Sequence, residues 1–105
     1  MAVKKSNYEY YKELVLNQIP KEPCQKHHKD IAYELNMRPV DVREIIRMLR
    51  DDGYAICSNP VDGYWMAHNK LEVQQVIDMF YSYINSMQGT IDSLKKTKRR
   101  FDNEY

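Results

Sequence analysis

The sequence predicts a mainly helical fold with one small β-hairpin in its middle and a long helix toward its C-terminal end. Three observations carry that prediction. Before residue 50, apolar residues recur at spacings of three and four, the period of a helix with one buried face. "YAICSNPVDGYWM", residues 54–66, breaks that rhythm, because Asn-Pro and Asp-Gly are strong turn formers set between two short β-prone stretches. After "AHNK" the chain runs on without proline, with apolar residues alternating at spacings of four and three.

The first helix is expected from about Asn7 to Gln18. Ser6 and Asn7 are good N-caps, and Tyr8, Tyr11, Val15 and Ile19 share one face. Pro20 and Pro23 make "PKEPCQ" a loop. Ile31, Ala32 and Leu35 then suggest a helix of about two turns from His28 to Leu35. Asn36 tolerates the left-handed backbone that ends helices. Pro39 suits the first position of the next helix, whose Val42, Ile45, Ile46 and Leu49 form its apolar face, and Gly53 is a natural stop. Two helices joined by about three residues, the second longer, have helix-turn-helix spacing.

Two strands alone are marginal in water, so the hairpin must rest on the helices. Helix, turn, helix and then a hairpin is the winged-helix order, with "NPVDG" as the wing. Residues 1–68 are therefore read as a winged helix-turn-helix domain, and residues 69–105 as a C-terminal oligomerisation helix. In that helix Val73, Ile77, Phe80, Ile84, Met87, Ile91 and Leu94 follow a heptad spacing that continues, past Lys98, to Phe101. A small domain lacks the free apolar surface to cover so long a seam, and a second copy of the chain is the simplest partner. Gly89 lies inside it, and a helix-interior glycine costs about 1 kcal/mol relative to alanine. A bend or a break there, with a helical hairpin folding back on the first helix, is the alternative; Tyr8, Tyr11 and Val15 would meet the early seam in either case.

Residues 25–66 resemble the small winged helix-turn-helix domains of bacterial repressors, including the N-terminal domain of the biotin operon repressor. The stretches that carry the resemblance are "DIAYELNM", "VDVREIIRMLRDDGYAI" and "GYWM". Leu35 closes the first helix, Leu49, Arg50 and Gly53 match the "LR-x-x-G" ending of the recognition helix, and Gly63 and Tyr64 form the glycine-aromatic pair of the returning strand. Arg38 and Pro39 stand where family members usually begin the recognition helix with Ser or Thr. Small phage-encoded proteins with this domain and a C-terminal helix have a similar layout. The resemblance implies binding of double-stranded DNA in transcriptional regulation or replication control.

In such a domain the second helix lies in the major groove. With Val42, Ile46 and Leu49 turned inward, the face left for DNA begins at Arg38 and Pro39 and carries Val40, Arg43, Glu44 and Arg47. Arginine suits that position because its planar fork donates two bonds to the O6 and N7 of guanine. Lys26, Lys29 and Arg50 are candidates for phosphates, which set affinity and position without reading sequence. Asn59 and Asn69 are candidates near the wing. The competing reading of the arginines is a solvated helix face paired with Asp41, Glu44 or Asp51. At the level of the whole protein, the alternative is a protein-interaction or adaptor module on the same scaffold, favoured by a net charge of only +1 and by Asp62 in the wing.

Other classes find little in the sequence. "CQKHH" at residues 24–28 raises a metal question, yet only Cys57 and His68 would be left to complete a zinc site that wants four ligands, so no metal is expected. No glycine-rich phosphate loop and no nucleophile arrangement stands out; no catalytic residue and no cofactor are assigned. "KKTKRR", residues 95–100, reads first as a solvated helix end. No apolar run reaches the roughly 18 to 20 residues of a membrane span, and the start shows no apolar signal region, so a cytoplasmic protein with reduced thiols is the expectation.

Overall fold

The computed structural model describes residues 5–102. The chain divides into two compact units, Met1–Val73 and Gln74–Tyr105. The elements are α1 (Lys5–Gln18), α2 (His28–Leu35), α3 (Pro39–Asp51), β1 (Ile56–Asn59), β2 (Gly63–Met66) and α4 (Lys70–Arg99). Over the described residues the protein is thus mainly helical, with one two-stranded antiparallel sheet and a long C-terminal helix.

The core of the first unit is built by the apolar stripes foreseen from spacing. Tyr8, Val15 and Ile19 of the α1 segment meet Ile31 and Ala32 of α2 and Val42, Ile45, Ile46 and Leu49 of α3, all buried. Tyr8, Tyr11 and Val15 therefore belong to a core shared with α2 and α3. α1 also begins earlier than the capping residues suggested, so Ser6 lies inside it. Tyr8 carries a polar tip into this core, and its hydroxyl donates to the Asp52 carboxylate just after α3. Burial, and then that hydrogen bond, push the phenol well above its ordinary pKa. The Lys12 ammonium lies over the rings of both Tyr8 and Tyr54, at 5.9 and 5.6 Å from their centroids.

The boundaries of α2 and α3 have local causes. Asp30 accepts the backbone N–H of His27 at 2.8 Å, which satisfies a donor at the start of α2. Asn36 adopts the left-handed conformation, φ 53°, and Met37 N–H closes back on the Ala32 carbonyl at 2.9 Å. Arg38 precedes Pro39, the first residue of α3, and makes no capping bond. At the far end Tyr54 N–H reaches the Leu49 carbonyl across Gly53, whose φ is +99°.

The hairpin pairs Ile56 with Met66, Cys57 with Trp65, Ser58 with Tyr64 and Asn59 with Gly63. Ile56 is buried in the helical core, and Tyr64 and Met66 pack on it. That is the support the pair of strands requires. The opposite face is closed by Cys57 and Trp65, both buried. The Trp65 indole donates to Glu72 in the first turn of α4 at 2.8 Å, and Asn69 accepts the Glu72 N–H to cap that helix. The loop before α2 runs beside β2. Tyr64 N–H donates to the Lys26 carbonyl at 2.8 Å and Gln25 N–H to the Asp62 carbonyl at 2.9 Å, with a single parallel bridge between Lys26 and Gly63.

α4 is one continuous helix of 30 residues, about 45 Å at 1.5 Å per residue. It passes through Gly89 without a break, so the helical hairpin is excluded. Among the described residues no helix is long and apolar enough to cross a membrane.

Candidate nucleic-acid interface

α3 separates its two faces cleanly. Val42, Ile45, Ile46 and Leu49 are each no more than 1% exposed. Arg38, Pro39, Val40, Arg43 and Arg47 are exposed, and Glu44 is half-buried at the edge of that surface. The outward residues proposed from the sequence are therefore left exposed or half-buried, with Arg38 at the N-cap of α3 and the others along the helix.

Their electrostatic states differ. The Arg38 guanidinium is bidentate on Asp41, with Nε and Nη2 both 2.9 Å from its carboxylate oxygens. Arg47 is held from both sides, by Glu44 at 2.5 Å and Asp51 at 2.7 Å. These pairs push the two guanidinium pKa values up and hold the Asp41 and Glu44 carboxyls below their ordinary values. Arg43 has no hydrogen bond or ion pair among the described residues. The reason lies in spacing. Side chains three and four residues away share a helix face; around Arg43 these are Pro39, Val40, Ile46 and Arg47, with no carboxylate among them. Around Arg47 they include Glu44 and Asp51. The split was thus readable from the sequence, although the two arginines look alike on a helical wheel.

Arg43 lies where three elements converge. Burial lowers the pKa of His28, at the start of α2, and the charges of Arg43 and Lys29 lower it further, so its imidazole is neutral at pH 7. Tyr64 of β2 is raised by burial, against the opposing charges of Arg50 and Arg43. Arg43 and Lys29 therefore form an electropositive neighbourhood around His28, beside the hairpin, which spacing along the chain alone does not disclose.

Three further candidates have structural engagements. Arg50 is half-buried and turns to the hairpin, donating through Nε to the Ile56 carbonyl at 2.9 Å and through Nη2 to the Ser58 hydroxyl at 3.0 Å. Lys26 donates its ammonium to the Gln18 side chain at 2.7 Å, while Lys29 is exposed. Asn59 shapes the hairpin turn: its Oδ1 accepts the N–H groups of Val61 and Asp62, and its amide donates to the Asp62 carboxylate at 2.9 Å. Asp62 is drawn in by that bond, and Val61 is the exposed apolar residue of the turn. Tyr33, 87% exposed on α2, was passed over in the sequence; its only signal is an aromatic ring outside the apolar stripe.

Cys24 is exposed and Cys57 buried. Among the described residues no group of three His, Cys, Asp or Glu side chains converges in a way that could hold a metal ion. On α4, the residues from Ile77 to Leu94 along the seam are 39 to 65% exposed, and Val73 is half-buried. No family model, no curated protein and no solved structure matches the chain.

Proposed function

We propose that this chain is a non-enzymatic, cytoplasmic protein that binds double-stranded DNA sequence-specifically, through a winged helix-turn-helix unit, in transcriptional regulation or replication control of a phage or bacterium. Self-association through α4 presents two copies of α3. One observation carries the reading: Arg43 stands exposed and without a partner among the described residues, in the middle of a helix face whose reverse side is fully buried. An unpaired guanidinium there is ready to fork onto a guanine edge without first giving up another bond. Lys29 beside it and the backbone N–H groups opening α2 supply phosphate contacts. Arg38 and Arg47 join the interface only by exchanging carboxylates for DNA, which costs little because exposed ion pairs are worth about 0 to 1 kcal/mol.

The neutralisation of Arg38 and Arg47 on that same surface favours the second reading, a module that docks another protein. The deciding experiment is selection of bound sequences from a random duplex pool, followed by titration of the selected site against salt. DNA recognition yields an enriched sequence and an affinity that falls steeply as salt rises. An unenriched pool with undetectable affinity at low salt sinks it and leaves the protein-docking module.

A further inference from the structure

We propose that α4 pairs with α4 of a second copy in antiparallel orientation, in the register that sets Ile84 against the second copy's Met87. The inference rests on the self-association part of the reading above and adds its direction and register.

The exposed stripe is self-complementary when reversed about the point between Asn85 and Ser86. Ile77 then meets Leu94, Phe80 meets Ile91, and Ile84 meets Met87, so each buries against another large apolar side chain. Such a face, 39 to 65% exposed over these residues, is the kind of seam that knobs-into-holes packing covers. Gly89 falls on the outer side of the pairing, and nothing stands within 4 Å of a Cβ placed there, so it takes no space from the seam.

Charge sets the direction. The half of the helix from Lys70 to Asn85 holds one lysine against Glu72 and Asp78, while the half from Ser86 to Arg99 holds Lys95, Lys96, Lys98 and Arg99 against Asp92. Parallel helices would stack the basic halves on each other and bring the two Lys98 ammonium groups face to face inside the seam. Reversed helices lay each basic half along the acidic half of the other copy and put Lys98 over Val73. The aligned backbone dipoles oppose one another only in the reversed arrangement, which favours the same choice.

The test uses the full chain with Cys24→Ser, leaving the buried Cys57. Gln74→Cys and Lys95→Cys are made in separate chains, one with a size tag, mixed, and treated with a short bis-maleimide. Lys98→Cys is treated alone. In the proposed register, positions 74 and 95 of opposite copies flank the same turn, whereas the two Lys98 positions are about 38 Å apart. In a parallel pair, positions 98 adjoin and 74 lies about 31 Å from 95. The expected result is a mass by light scattering of twice 12.6 kDa, with at least a tenfold excess of the mixed 74–95 product over the 98–98 product. A dimer giving mainly the 98–98 product overturns the direction and leaves self-association standing. A dimer giving neither product overturns the proposed register, and a monomer overturns self-association itself. None of these outcomes bears on duplex binding, which the selection experiment reads separately.

Discussion

Replacing Gly63 with alanine should destabilise the first unit by about 3 to 4 kcal/mol. The residue has φ +73°, and left-handed backbone costs an ordinary L-residue about 1 to 2 kcal/mol. Space adds to that cost. A Cβ at Gly63 would lie 2.2 Å from the Lys26 carbonyl oxygen and 2.5 Å from its carbon, both backbone atoms that no rotamer change can remove. Either β2 or the segment before α2 must shift. The shift breaks the Tyr64-to-Lys26 hydrogen bond and pulls on the Gln25-to-Asp62 bond, each worth about 1 kcal/mol. Against a total stability of about 5 to 15 kcal/mol this is a large loss. Gly53→Ala is the internal control, because its φ of +99° carries the backbone strain but no atom lies within 4 Å of the new Cβ. It should lose about 1 to 2 kcal/mol only. Urea unfolding at fixed protein concentration, followed by emission of Trp65, the single tryptophan, reads the hairpin directly. If Gly63→Ala proves no more damaging than Gly53→Ala, the close approach of Lys26 is wrong, and with it the seating of the hairpin on the loop before α2.

Three other outcomes are expected. Arg43→Ala should weaken binding to the selected duplex by about 1 to 3 kcal/mol and relax preference at one base pair, while Arg47→Ala should cost less than about 1 kcal/mol; equal losses in a fluorescence titration would erase the distinction drawn from ion pairing. Ile84→Asp should give a monomer by light scattering with an unchanged thermal transition of the first unit, since the charge would go unpaired in a buried seam. His68 lies between Glu22 at 2.9 Å and Glu72 at 3.0 Å, and the Glu72 hydrogen bond foremost raises its pKa. A raised folded-state value stabilises fully below the ordinary histidine pKa of about 6.5, and the contribution is lost as pH climbs through the folded value. The lowered pKa of His28 acts with the opposite sign in the same window, so His68 is read by difference: the urea midpoint of the unaltered chain, taken relative to that of His68→Gln, should fall between pH 6 and pH 8.

Much of the fold was legible because its signals are local. Asn36, Pro39 and Gly53 punctuate α2 and α3 through their own backbone preferences, and "NPVDG" announces the turn through Asn59 and Gly63. The stripes of α1 to α3 sort correctly because a period of three and four residues leaves one face to bury. What escaped depends on contacts between distant segments. Nothing near Lys26 reveals that its carbonyl serves β2, and nothing near Arg50 tells a phosphate ligand from a residue that ties α3 to β1. The continuity of α4 through Gly89 was left open because one glycine penalty is small beside the propensity of the residues around it. At the candidate interface, the unequal states of Arg43 and Arg47 were present in the spacing of Glu44 and Asp51, but only the assembled neighbourhood of His28, Lys29 and Tyr64 shows where Arg43 sits.

The bonds from Arg50 to the Ile56 carbonyl and the Ser58 hydroxyl have a mechanical consequence. They cross-brace the last turn of α3 to the first strand at the point where a hinge would otherwise form. Thermal opening of the hairpin must therefore strain the helix, and fraying of the helix end must release the strand. Amide hydrogen exchange along residues 45–59 should then follow a single opening event, with one shared free energy, and the hairpin should move as a rigid extension of α3.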